Sequence, residues 1–116
     1  MTVEAIGDAS DGVRVLRAAG ELDVATVPRL LPEVPDLVEG AAGVVLDLTG
    51  VTFLDSSGVR LVDRLGQECV RRGIPYRVVA PPGHRARRLL EIVGFVPPVV
   101  ADTVRAGLAA VRAEAS

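Results

Sequence analysis

Two spacings of apolar residues alternate along the chain, one of about two residues and one of about 3.6. Short apolar-rich segments at 2–7 and 13–18 flank a turn-forming run, which predicts a β-hairpin. The nearly continuous apolar run Gly43–Leu48 predicts a strand that is buried on both faces. Two further strands are predicted at Tyr76–Ala80 and at Val96–Val100, the second weakened by its prolines.

Helical spacing of apolar residues predicts four helices after the hairpin. They cover 24–40, 57–72, 84–93 and 103–114. Gly73 and Gly94 follow the second and third of these segments, as glycine commonly does at the end of a helix. Asp102 stands where the N-cap of the last helix is expected.

The first predicted helix carries three prolines. Thr26 is its predicted N-cap, and Pro28 fits the first turn, where a backbone N–H has no helical partner to lose. Pro32 and Pro35 fall in the interior, where each proline removes a donor and clashes with the preceding turn, at about 3 kcal/mol or more. We therefore predict a helix that is kinked or broken.

The alternation of strands and helices after an opening hairpin predicts an α/β fold. We expect a mixed sheet of four to five strands, about four helices and right-handed crossovers. A chain of 116 residues suits one domain, which we expect to span 1–116. Hydrophobic residues make up 49% of the chain and aromatic residues only 3%, so the core must be aliphatic.

Charge and composition argue against several functional classes. A net charge of −2 offers no basic field for nucleic acid. No apolar run is long enough for a bilayer and residues 1–4 lack a signal pattern, so we expect a cytoplasmic protein without a membrane partner. Metal-ligand spacing, a phosphate-binding loop and a nucleophile elbow are absent. We therefore expect no metal, no cofactor and no enzymatic activity, with the single Cys69 in the core rather than acting as a nucleophile.

The run Asp55-Ser56-Ser57-Gly58 lies between a predicted buried strand and the best-defined helix. It places two hydroxyls at a helix N-terminus, where free N–H groups and the helix dipole favour an anion. Spacing alone leaves two interpretations open. The run is a plain helix cap, or one serine accepts a phosphate, which adds about −1.5 to −2 charges.

Acidic residues follow two of the predicted strands. Glu21 and Asp23 form either a simple strand-to-helix turn or part of a binding rim, and Asp55 follows the next strand. Sites in open α/β sheets gather at the carboxyl ends of strands, so these carboxylates could share one rim. The run His84–Arg88 is either a solvated first helical turn or a patch for an acidic partner or a phosphate.

In order and spacing, Gly20–Asp23, Val44–Leu48, Phe53–Val59 and Pro81–Phe95 resemble the STAS-domain family over nearly the whole chain. The chain is most similar to the bacterial anti-sigma factor antagonists of sporulation and stress pathways. This resemblance implies a switch rather than an enzyme. The unphosphorylated antagonist captures an anti-sigma factor that is also a serine kinase, and so frees the sigma factor for transcription. The kinase phosphorylates the first serine after the aspartate, here Ser56, and a metal-dependent serine phosphatase removes the phosphate.

The resemblance also implies roles for the neighbours of Ser56. Asp23 and Asp55 flank the acceptor and help to form the kinase-binding surface. Glu21, Ser57, Gly58 and Arg60 complete the predicted partner-binding set. Arg60 departs from the family, which often has a small residue there, and a long cation could change kinase docking or hold the phosphate. The prolines of the first helix are a second departure, on the border of the partner surface.

Two other functional classes remain as alternatives. One is a STAS module in a stressosome-like scaffold or a transporter-associated assembly. The other is a nucleotide-binding or hydrolysing protein, which the missing phosphate loop disfavours. We expect a monomer, or a weak homodimer that pairs through edge strands.

Overall fold

The strands of the central sheet lie side by side in the order in which they occur along the chain. The computed structural model describes residues 2–95 and 99–115. The strands are β1 (Thr2–Asp8), β2 (Val13–Leu22), β3 (Gly43–Leu54), β4 (Tyr76–Val79) and β5 (Val100–Ala101). The helices are α1 (Val27–Leu30), α2 (Val34–Val38), α3 (Ser56–Arg72), α4 (Arg85–Ile92) and α5 (Val104–Ala115). β1 runs antiparallel to β2, and β2 to β5 are parallel, so the predicted mixed sheet with an N-terminal hairpin is confirmed.

The two faces of the sheet carry separate apolar clusters, because neighbouring residues of a strand point to opposite faces. The larger cluster joins the sheet to α1, α2, α3 and α4. It includes the fully buried Leu16, Leu46, Leu61, Leu65 and Leu90. On the other face, Val111 of α5 packs with Val13, Val45 and Val79. Apart from Cys69, the buried hydrophobic residues of the described chain are all aliphatic, as the composition requires.

The segment after β2 is a helix broken into three pieces. α1 and α2 flank a 3-10 turn at Leu31–Glu33. Pro28, Pro32 and Pro35 each occupy one of the first two positions of a piece, where no helical hydrogen bond is lost. The predicted break is therefore confirmed. The apolar spacing survives it, since Val27, Leu30, Val34 and Val38 are all buried.

β2 and β3 are both longer than predicted. Residues 20–22 continue β2 instead of forming a turn, and β3 continues past Leu48 to Leu54. The two strands pair in parallel as far as Leu22 and Leu54, with irregular register after Arg17 and Gly20. Both strands therefore end at the same edge of the sheet.

One local prediction was wrong, and two others hold in part. Thr26 is the N-cap residue of α1, as predicted, but its side chain makes no cap hydrogen bond. Asp102 does not cap the last helix: it pairs with Arg87 at 2.7 Å, and the Thr103 hydroxyl accepts from the Ala106 N–H at 3.0 Å instead. Two residues of the predicted strand 96–100 are described: Val99 lies in a turn and Val100 begins β5. Residues 96–98 lie outside the described residues.

No helix in the described ranges is long and apolar enough to cross a bilayer.

Candidate functional site

Ser56 is the first residue of α3, directly after the end of β3. Its side chain is exposed. Within the part of the chain that the structure describes, its hydroxyl takes part in no hydrogen bond, and the same is true of the half-buried Ser57. Neither serine therefore caps the helix through its side chain.

Asp55 is the N-cap of α3. Its Oδ1 accepts from the backbone N–H of Ser57 at 2.8 Å and from that of Gly58 at 3.4 Å. The extended backbone of Asp55 (φ −114°, ψ −166°) turns the carboxylate back over the first helical turn. Asp55 is thus the residue that caps the helix, and the hydroxyl of Ser56 makes no hydrogen bond to any described residue.

Gly58 closes the same turn against the ends of both strands. A Cβ at this position would lie 2.7 Å from Leu54 Cγ, 2.8 Å from the Leu22 carbonyl oxygen and 3.1 Å from Leu22 Cβ. The Leu22 oxygen also accepts from the Asp55 N–H at 3.3 Å. The absence of a side chain at Gly58 therefore lets α3 begin in contact with β2 and β3.

Asp23 fixes the turn after β2 in a similar way. Its Oδ1 accepts from the N–H groups of Ala25 and Thr26, both at 3.0 Å. The side chain of Thr26 holds this turn together: its hydroxyl donates to the Glu21 carbonyl at 2.9 Å and accepts from the Asp23 N–H at 3.0 Å. Thr26 was not selected as a site residue from the sequence.

Asp23 and Asp55 follow the paired residues Leu22 and Leu54, so they lie on one edge of the sheet beside Ser56. In each carboxylate, Oδ1 accepts hydrogen bonds from nearby backbone N–H groups. Among the described residues, Oδ2 of neither carboxylate has a hydrogen-bond partner. Two oriented acceptor oxygens therefore remain available to a partner, next to an exposed hydroxyl.

The structure places the other predicted residues around this edge. Glu21 is exposed and pairs in register with Phe53. Arg60 is exposed on α3, four residues after Ser56, and so lies on the same face of the helix.

Two exposed apolar residues border the site and were not selected from the sequence. Val24, directly after Asp23, is 72% exposed, and Phe53 is 45% exposed. The two-residue alternation of a strand could not have identified Phe53, because Val51 and Leu54, three residues apart at the end of β3, are both buried. Apolar side chains beside oriented acceptors are typical of a surface that binds another protein.

The remaining candidates have structural partners. The Nδ1 of His84 accepts from the Ala86 N–H and caps α4, and Arg87 donates to the Ala80 carbonyl and to Asp102.

Cys69 is fully buried, and desolvation raises the pKa of its thiol to about 12. No cluster of three or more metal-binding side chains occurs among residues 2–95 and 99–115. A cavity of about 580 Å³ at the far end of α3, lined by Gly66, Val70 and Tyr76 among others, includes none of the predicted site residues.

The fold is that of an α/β module with its candidate site at the carboxyl ends of two strands, and the comparison with known families identifies it. The STAS-domain model matches residues 6–107, and the chain belongs to the STAS-domain family. No curated protein matches the sequence.

Solved structures give the same result. An anti-sigma factor antagonist from Mycobacterium paratuberculosis is 26% identical, with a TM-score of 0.76 over 96% of this chain and 95% of that one. The Bacillus cell fate determinant SpoIIAA in its phosphorylated form is 20% identical, with a TM-score of 0.67 over 89% and 92%. The murine anion transporter Slc26a9 is 17% identical, with a TM-score of 0.69 over 89% of this chain but only 18% of that one. The structural neighbours thus include anti-sigma factor antagonists, and the fold also occurs as one part of a transporter.

Proposed function

We propose that this protein is an anti-sigma factor antagonist controlled by phosphorylation of Ser56. In its unphosphorylated form it binds an anti-sigma factor that is also a serine kinase, and so releases the sigma factor. Phosphorylation of Ser56 ends this binding, and a serine phosphatase restores it. The protein acts as a cytoplasmic binding module rather than as an enzyme.

The observation that carries the proposal is that Asp55 caps α3, while the hydroxyl of Ser56 is exposed beside it. Asp55 Oδ1 satisfies two N–H groups of the first turn of α3. Ser56 is exposed at the first position of that helix. A kinase can reach its hydroxyl, and a phosphate there costs the fold no hydrogen bond. Likeness to a 26% identical anti-sigma factor antagonist over 96% of the chain supports the choice of partner.

Loss of binding follows from charge rather than from unfolding. A phosphate at a helix N-terminus is tolerated, because it lies at the positive end of the helix dipole. In an interface the same group brings about −1.5 to −2 charges, which lie beside the carboxylates of Asp23 and Asp55 and must be desolvated. The fold therefore survives modification while the complex does not.

The test combines phosphorylation with binding. The cognate anti-sigma kinase and ATP are added to wild type, Ser56→Ala and Ser57→Ala, and phosphate is located by mass spectrometry. We expect phosphate on wild type and Ser57→Ala only, and at least a tenfold weaker complex with phosphorylated wild type than with unmodified protein. Phosphate on a residue other than Ser56, or equal affinity of both forms, would falsify the proposal. Matching circular dichroism spectra exclude unfolding as the cause.

A transporter-associated module is the second candidate, because the fold occurs inside murine Slc26a9. Affinity purification from the native host distinguishes the two. A co-purifying kinase and sigma factor system supports the antagonist, and a co-purifying membrane permease supports the alternative.

A further inference from the structure

Exposed arginines line one face of α3 beside Ser56. Arg60 and Arg64 follow it at intervals of four residues, and all three are exposed. Residues four apart on a helix are neighbours, with Cβ atoms about 5–6 Å apart. The hydroxyl of Ser56 and the guanidinium of Arg60 therefore belong to one surface patch.

Within residues 2–95 and 99–115, Arg60 has no counter-ion. Among the described residues, neither Arg60 nor Arg64 takes part in an ion pair within 4.0 Å, whereas Arg71 and Arg72 further along α3 both pair with Glu68. The acid nearest to Arg60 along the helix, Asp63, accepts instead from the amide of Gln67 at 2.7 Å. Arg60 and Arg64 are like charges four residues apart and repel each other, so a further anion on this face of α3 would be stabilised by both arginines.

We propose that Arg60 is the intramolecular counter-ion of a phosphate on Ser56, so that phosphorylation pairs an arginine that has no ion-pair partner among the described residues of the unmodified protein. An arginine fork matches phosphate oxygens in geometry and charge. The relevance of this contact in the cell rests on the function proposed above, but its existence does not. It gives the phosphorylated state a stabilising interaction of its own and covers part of the phosphate that a phosphatase must reach.

Other charged groups surround the same position. Asp55, Asp23 and Glu21 lie at the strand ends and disfavour the doubly charged phosphate. On α1, which packs against α3, Arg29 is also exposed and has no ion pair among the described residues. The N-terminus of α3 and its dipole are the same in wild type and in every arginine variant. Comparing variants therefore isolates the contribution of each arginine.

The experiment places phosphoserine at position 56 during translation, so that no kinase is needed. The second ionisation of the phosphate, near pH 6 for free phosphoserine, is followed by 31P NMR in phosphorylated wild type, Arg60→Gln, Arg64→Gln and Arg29→Gln. Loss of a neighbouring cation destabilises the dianion, so we expect the pKa of the phosphate to be about 0.2–0.4 unit higher in Arg60→Gln than in wild type. Arg64→Gln, one turn further away, is the matched control and should show less than half of that shift.

Salt gives an independent check. Near 1 M NaCl, where the Debye length is about 3 Å, the difference between wild type and Arg60→Gln should shrink. An Arg60→Gln titration that coincides with wild type at low salt overturns the proposal. So does a larger shift in Arg29→Gln or Arg64→Gln. Because phosphate is inserted without the kinase, failure of the proposed partner switch leaves this result interpretable, and the reverse also holds.

Discussion

The contact of Gly58 with the ends of β2 and β3 makes Gly58→Ala the sharpest structural test of the site. The new methyl group would lie 2.8 Å from the Leu22 carbonyl oxygen and 2.7 Å from Leu54 Cγ. The Leu54 side chain can move by a rotamer change, but the Leu22 oxygen is backbone and is held by the Asp55 N–H at 3.3 Å. Relief of the clash therefore requires the start of α3 to move away from β2.

Two opposing free energies set the size of the effect. Alanine is favoured over glycine within a helix by about 1 kcal/mol. Overpacking a close-packed contact costs about 1–3 kcal/mol, and a fixed backbone oxygen puts this site near the upper end. We expect Gly58→Ala to lower the free energy of unfolding by about 1–2 kcal/mol.

Urea unfolding measures this loss. With a slope of about 1–2 kcal/mol per M, the midpoint should fall by about 1 M. Gly66→Ala on the same helix is the matched control: its Cβ would meet the Tyr76 ring at 3.2 and 3.4 Å, so the milder clash and the helix preference should nearly cancel. If Gly58→Ala is as stable as wild type, or no less stable than Gly66→Ala, the argument that Gly58 sets the approach of α3 to the strands is wrong.

Two further predictions concern the ends of α3. Asp55→Ala removes the acceptor of two backbone N–H groups and should cost about 1 kcal/mol in thermal unfolding, with Asp55→Asn closer to wild type and Ser57→Ala nearly neutral. At the other end, the hydrogen bonds from Arg72 and Arg71 hold the pKa of Glu68 below its usual value of 4.5. A lowered carboxyl pKa stabilises the fold above pH 4.5, and this stability is lost as pH falls through the folded-state value. The urea midpoint of wild type should therefore exceed that of Glu68→Gln at neutral pH, and the gap should close below pH 4.5. A gap that is independent of pH would contradict the ion-pair assignment.

The fold could be predicted from the sequence where one physical rule dominated. Prolines fit a helix only at its start, so Pro32 and Pro35 required a break, and each now lies in the first turn of a new piece. Gly73 ends α3 with a left-handed φ of 71°, as a glycine after a helix commonly does. In these places the local sequence leaves the backbone little choice.

The predictions failed where two neighbouring residues suit a position equally well by local rules and a tertiary contact determines which of them occupies it. Asp102 and Thr103 are both good N-caps. Asp102 pairs with Arg87 instead, and Thr103 accepts the hydrogen bond from the first turn of α5. The length of β3 was hidden because Thr49 and Gly50 interrupt its apolar run, although strand pairing continues past them.

One feature of the candidate site could be predicted from the sequence and another could not. Its position at the carboxyl ends of two strands follows from the alternation of strands and helices. Which residue caps α3 could not be decided from Asp55-Ser56-Ser57, since all three are good caps. The extended backbone of Asp55 settles it, because that backbone directs the carboxylate, and not a hydroxyl, onto the free N–H groups.

This choice of cap bears on how the protein could work as a switch. Had Ser56 capped α3, phosphorylation would have replaced a structural hydrogen bond, and modification would have been coupled to the stability of the helix. With Asp55 as the cap, the carboxylate keeps its two backbone donors whether or not Ser56 carries a phosphate. The free Oδ2 atoms of Asp23 and Asp55 also stay oriented in both states, because each is fixed through its Oδ1. A partner would therefore meet the same acceptors before and after phosphorylation, and the added charge, together with the pairing of Arg60 proposed above, would decide whether it binds.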